Sequence, residues 1–143
     1  MQNGEISKED NVFIDNEVVN VSNVKIGDII VVVRNGSRNL IGKHAQIKEN
    51  MPNTVIGAFM SGIRTKQSNF VNSLLDTSIF EKEINKNMGA TINQITGYMF
   101  ANMEFKIPLK NEQTEIGKLF YNLDNLITLH QRFIIYLKLS KTS

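Results

Sequence analysis

With 143 residues, 41% hydrophobic and 21% charged, the chain has the make-up of one ordinary globular domain plus an appendage, not of a disordered or fibrous polymer. It has no cysteine, which excludes disulfides, thiolate metal sites and cysteine nucleophiles together. Its two histidines, His44 and His130, are too far apart in sequence to suggest a local ligand pair, and neither a metal nor a cofactor is expected. No apolar run reaches the ~18 residues of a membrane span and no Arg-flanked apolar stretch opens the chain, so it reads as soluble and cytoplasmic.

The formal charge of +2 hides an uneven distribution. Residues 1–33 carry two Lys against six acids, while residues 34–71 carry six basic side chains against Glu49 alone. Residues 72–105 are net acidic again, and the tail from Lys106 is net basic. A basic block inside a nearly neutral protein points to a local anionic partner; its alternative is a solvated face with no partner.

In chain order, the first twenty residues are polar and acidic, with one strand-like piece at Val18–Val21. Lys25-Ile26-Gly27-Asp28 then forms a turn into Ile29–Val33, five consecutive β-branched residues suited to a strand buried on both faces. Asn35-Gly36 ends it, and a loop runs from Arg34 to Lys43. Shorter strands are predicted at Ala45–Lys48 and Thr54–Thr65, the two glycines of the latter marking a bend or a close backbone approach.

From Ser68 the period becomes helical. Phe70, Val71, Leu74 and Leu75 share a face behind an N-cap at Ser68, and Ile79, Phe80, Ile84 and Met88 form a second helix capped from within Asp76-Thr77-Ser78. Gly89 is placed to close that helix in the left-handed conformation. A polar loop, residues 90–97, is anchored by Ile92 and Ile95; Tyr98–Met103 and a short strand at Glu104–Ile107 follow, and Pro108 separates this body from the tail.

The tail, residues 107–140, reads as one long amphipathic helix. Ile116, Leu119, Leu123, Leu126, His130, Phe133 and Leu137 alternate three and four residues apart and keep one narrow stripe over roughly 28 residues, ~42 Å of helix. A body of about 107 residues is smaller than that across, so part of the stripe is expected to project and to need a partner. His130 reads as a packing residue of this stripe.

Catalytic constellations are absent. Gly36-Ser37-Arg38-Asn39-Leu40-Ile41-Gly42-Lys43 looks like a phosphate-binding loop at first glance. It has five residues between its glycines instead of four, and His44 where a hydroxyl should hold magnesium. Asp28 reads as a turn residue, Glu112 and Glu115 as carboxylates at the positive end of a helix. The loop makes better sense as a reader of bases or phosphates, because Arg34, Asn35, Ser37, Arg38, Asn39 and Lys43 gather guanidinium, amide and hydroxyl groups. Arg64 and Lys66 end another strand, and Asn93 and Gln94 add amides from the later loop. For each of these residues the competing reading is a turn former or a solvated edge.

The residues also carry a resemblance. Lys25-Ile26-Gly27-Asp28-Ile29-Ile30, then Asn35 to Lys43, then Gly89-Ala90-Thr91-Ile92-Asn93-Gln94-Ile95, resemble in the same order the specificity subunit of type I restriction-modification systems. So do Ile107-Pro108-Leu109, Glu112-Gln113, Ile116, Leu123 to Ile127 and Gln131-Arg132. The series over the helix is the most specific part, and the resemblance covers the chain from about Lys25.

The resemblance implies an α+β protein: a small mixed-sheet target recognition domain with short packed helices, here residues 1–107, followed by a spacer helix of coiled-coil type, residues 108–143. It implies a non-catalytic subunit that reads one half of a split double-stranded DNA site and docks methyltransferase subunits. The family's full subunit has two such units, whose helices pair antiparallel. This sequence holds one unit, with only 24 residues before the turn at Lys25. Two copies, or this chain and another specificity half, are therefore expected to pair through the 116–137 stripe. The competing expectation is a fragment that binds methyltransferase or another specificity subunit through its helix without reading DNA.

Overall fold

The computed structural model describes Ile6 and residues 21–142. The strand-like piece at Val18–Val21 therefore lies, apart from Val21, outside the described residues. Three strands, β1 (Ile29–Val32), β2 (His44–Gln46) and β3 (Met60–Ile63), form a sheet of order β2-β1-β3. Four helices follow: α1 (Ser68–Leu75), α2 (Ser78–Asn87), α3 (Gly97–Ala101) and α4 (Lys110–Ser140). The fold is α+β, as expected, although both strand pairings are antiparallel where a mixed sheet was expected.

The β-branched run becomes the central strand because it alone is apolar on both faces: Ile29, Ile30 and Val31 are at most 3% exposed. The turn before it is fixed by Gly27, at φ +91°, and by Asp28, whose carboxylate accepts the Lys25 N–H at 2.8 Å. The strand predicted over Thr54–Thr65 forms only at Met60–Ile63, after a turn in which Met60 N–H donates to the Gly57 carbonyl. One of the two glycines thus marks a bend.

One core unites the sheet with the helices: Ile29, Val31, Ile41, Leu75, Phe80, Ile84, Met88 and Ile95, with Phe100 and Phe105 set against Phe80 at centroid distances of 6.5 and 6.2 Å. Several sequence expectations need correction. Ser68 is not a cap; it is the first helical residue, and its hydroxyl donates to the Gly27 carbonyl at 2.6 Å while accepting from the Gln46 amide. That amide also reaches Asn69 Oδ1 at 2.9 Å, so the buried Gln46 ties α1 to the sheet. Thr77 caps α2 as expected from its segment, accepting the Phe80 N–H.

Gly89 does not take the left-handed conformation, because the helix ends through an extended Met88. Ile79 and Ile92 are 56% and 63% exposed and do not anchor anything, unlike their neighbours Phe80 and Ile95. Residues 104–107 form no strand; no backbone ladder takes them up, and Phe105 fastens them to the core instead.

The predicted long helix is α4, 31 residues or about 46 Å. Its start is held by the Glu-Gln pair: Glu112 accepts the Leu109 N–H at 3.0 Å and the Gln113 amide donates to the Pro108 carbonyl at 2.9 Å. It crosses α1 at Gly117, which is buried and so close that a Cβ there would sit 2.6 Å from the Phe70 backbone nitrogen. From Leu129 to Ser140 every residue is exposed.

Candidate nucleic-acid interface

Where β1 ends, the chain does not leave the sheet at once. Val33 and Arg34 both donate their N–H groups to the Phe59 carbonyl, at 2.9 and 3.2 Å, and Ile95 N–H returns to the Val33 carbonyl at 2.8 Å. Arg34 and Gln94 then pair as an isolated antiparallel bridge. One step further the Asn35 N–H meets the Asn93 carbonyl at 3.2 Å. The two loops singled out by composition are therefore adjacent, and the buried Ile95 holds the second against the body.

Much of the polar chemistry in these loops is engaged locally. Asn35 Oδ1 accepts the Ser37 N–H at 2.9 Å, the Asn93 amide donates to the Gly36 carbonyl at 3.0 Å, and an Arg38 nitrogen donates to the Gly89 carbonyl at 2.9 Å. These bonds join the first loop, which carries one 3-10 turn at Arg38–Leu40, to the second as one platform, with Ser37, Arg38, Asn39 and Lys43 exposed on it. Arg34 is exposed too, its guanidinium carbon 5.1 Å from the centroid of the Phe59 ring. Phe59 carried no signal in the sequence beyond being apolar in a poorly alternating segment.

Arg64 and Lys66 belong elsewhere. Strand register sets Ile63 against Ile29 and Met60 against Val32, so they lie at the opposite end of the sheet from Arg34. Lys66 is exposed. Arg64 is bidentate to the buried Asp28, at 2.8 and 2.6 Å, and donates to the Asn23 carbonyl at 3.1 Å. Its guanidinium holds the Asp28 carboxyl below the usual carboxylate range, outweighing the opposing effect of burial, and the Lys25 N–H adds to it.

An open recess of about 800 Å³ is lined by Arg38, Asn39 and Lys43 together with Asp76 and Glu81. His44 lies at its wall. Its Nδ1 is 3.1 Å from the Gly42 carbonyl and its Nε2 is 3.2 Å from Asp76 Oδ1. Both neighbours are acceptors, so both ring nitrogens have a partner only when both carry a proton. Burial opposes that charge, but the Asp76 carboxylate and the carbonyls of Gly42 and Asn72 raise the histidine above its ordinary value. The sequence separated His44 from Asp76 by 32 positions and gave no hint of the pair.

Along α4, the face turned to the body carries Gln113, Gly117, Asp124 and Thr128, all buried or half-buried. At about 100° per residue, the stripe of Ile116, Leu119, Leu123, Leu126, His130, Phe133 and Leu137 is centred roughly 140° around the helix from that face. Ile116 is half-buried and the other six are exposed. Gly117 was missed, although a lone glycine within a helical pattern is the mark of a close crossing.

A family model described as the type I restriction modification DNA specificity domain matches residues 3–139. The chain belongs to this family. It is similar to the type I restriction enzyme EcoKI specificity subunit of Escherichia coli (strain K12), with 29% identity over 133 residues, and to the StySPI specificity subunit of Salmonella potsdam, with 28%. The match takes in 89% of this chain but 28% of each relative, so this specificity domain spans less than a third of the curated proteins it resembles. No solved structure matches it at the same level. Among the described residues no helix is long and apolar enough to cross a membrane, and no group of three or more His, Cys, Asp or Glu could hold a metal ion.

Proposed function

We propose that this specificity domain reads one half-site of a bipartite duplex target within a type I restriction-modification complex and docks methyltransferase subunits, itself doing no chemistry. The observation that carries the DNA half of the reading is the lashing of loops 34–43 and 89–95 into one exposed platform bearing Arg34, Ser37, Arg38, Asn39, Lys43 and Gln94. Backbone-positioning and base-reading groups are needed together, and this platform supplies both. Arg64 lies at the other end of the sheet from this platform, paired with Asp28. Binding to a selected duplex should fall steeply with salt, and Arg38→Ala or Lys43→Ala should each flatten the log–log slope by about one. Affinity that ignores salt would refute it.

The exposed α4 stripe supports a second element: pairing of two copies, or of this chain with another specificity half. Of the charges on α4, Lys110, Glu112, Glu115, Lys118 and Asp124 make its first part net acidic, and Arg132 and Lys138, with Lys141 just beyond its end, make the rest basic. Antiparallel pairing sets unlike halves together, whereas parallel pairing sets like against like. The same stripe favours the alternative in which the helix assembles with methyltransferase but no duplex is read. Co-purification with the methyltransferase without retention of any duplex would establish that alternative.

A further inference from the structure

Three arginines lie in the basic block, and the structure treats them differently. Arg64 is clamped to Asp28 and Asn23, and Arg38 donates to Gly89. Among the described residues, no acceptor holds the Arg34 guanidinium; what holds it is the face of Phe59, itself 55% exposed. The backbone arranges this meeting. With Val33 and Arg34 both donating to the Phe59 carbonyl, two residues oppose one, the pattern of a β-bulge, which bends a strand and re-aims a side chain. On the far side, the bridge to Gln94 fixes the Arg34 backbone again.

We propose that Arg34 is a guanine-reading side chain of the platform and that Phe59 is its positioning residue, an inference that rests on the DNA-recognition reading above. A guanidinium is a flat fork of donors that matches the O6 and N7 acceptors of guanine in the major groove, and that match tolerates little rotation. Stacking on an aromatic face restricts the plane of the fork while leaving its N–H edge outward. An arginine without such a seat would search many rotamers before binding. Gln94, paired with it across the bridge, brings an amide group suited to a neighbouring base pair.

Selection of duplexes from a randomised library by the intact chain tests this. The wild type should select a motif with guanine at one position. Arg34→Lys keeps the charge but loses the fork, so it should lose about tenfold or more of the preference for that guanine while the slope of affinity against salt stays the same. Phe59→Leu should relax the same position and no other, while Phe59→Tyr, which keeps the ring, should restore it; equal melting temperatures confirm that each variant folds. If Arg34→Lys selects the same motif with undiminished strength, the assignment of Arg34 is overturned and DNA recognition stands. If the wild type selects no sequence, DNA reading fails and takes this inference with it.

Discussion

Around loops 34–43 and 89–95, amide and guanidinium groups are turned onto neighbouring backbone, whereas along α4 the apolar groups are turned out to solvent. Asn35, Asn93 and Arg38 hold loops that have no ladder of their own to hold them. Leu119, Leu126 and Phe133 are each more than half exposed on a helix whose backbone is already satisfied. The body closes on itself; the helix beyond Thr128 leaves every residue to Ser140 exposed. The exposed side chains of these loops can vary without unfolding the body only if other residues fix the loops, and on the proposed function the helix can meet a partner only because its stripe stays open.

The largest effect that can break this contrast is expected on the helix. Leu123→Asp or Leu126→Asp would bury an unpaired carboxylate in the seam, so either should abolish self-association in light scattering while leaving the melting of the body unchanged, since both positions are exposed in the single chain. A monomeric wild type at high concentration would refute the pairing of two copies.

Gly117→Ala should act the other way, on the body's hold over the helix. Alanine favours helix by roughly 1 kcal/mol. Here its Cβ meets the Phe70 nitrogen at 2.6 Å and the Asn69 carbonyl carbon at 3.1 Å, both backbone atoms that cannot swing aside. A net loss of about 1–3 kcal/mol is expected in urea denaturation. A gain in stability would mean that α4 can rise off α1 at little cost.

These two predictions also show what the sequence made legible. Periodicity found α4 and its stripe because a helix writes its faces into spacing, and the β-branched run announced the central strand. Neither signal speaks of contacts between distant segments. That Gly117 is a crossing, that Ser68 reaches back to Gly27, and that Arg64 belongs to Asp28 all depend on packing in three dimensions. Composition brought the two loops under suspicion but could not separate Arg34, seated on Phe59, from Arg64, already held. The stripe's separation from the docked face was hidden for the same reason: sequence gives the faces of a helix but not which one the body takes.

Smaller effects should separate the two ends of the sheet by pH. At the Arg64 end, Asp28 has a folded value below its ordinary one, so its contribution to stability is present above about pH 4 and lost as pH falls through the folded value. Asp28→Asn should therefore melt lower at neutral pH and lose part of the acid-side slope of the wild type. A wild-type slope retained in full would assign the acid sensitivity to other carboxylates.

At the loop end the sign reverses. His44 is raised, so its contribution is fully present below its unfolded value of about 6.5 and is lost as pH rises through the folded value. Deprotonation strips one N–H from a ring set between two acceptors, and either Gly42 or Asp76 then loses its donor. Asp76 is mostly exposed and can turn to water, so the cost is small. Its place matters more than its size, because Gly42 is the left-handed residue of loop 34–43, at φ +86°. Melting of the wild type should thus decline slightly from pH 6 to 8 in a way that His44→Gln does not, and Asp76→Asn should weaken the decline without abolishing it, since the Gly42 and Asn72 carbonyls still favour the charged ring. Equal slopes for wild type and His44→Gln would show that protonation of His44 contributes nothing to the hold on the loop.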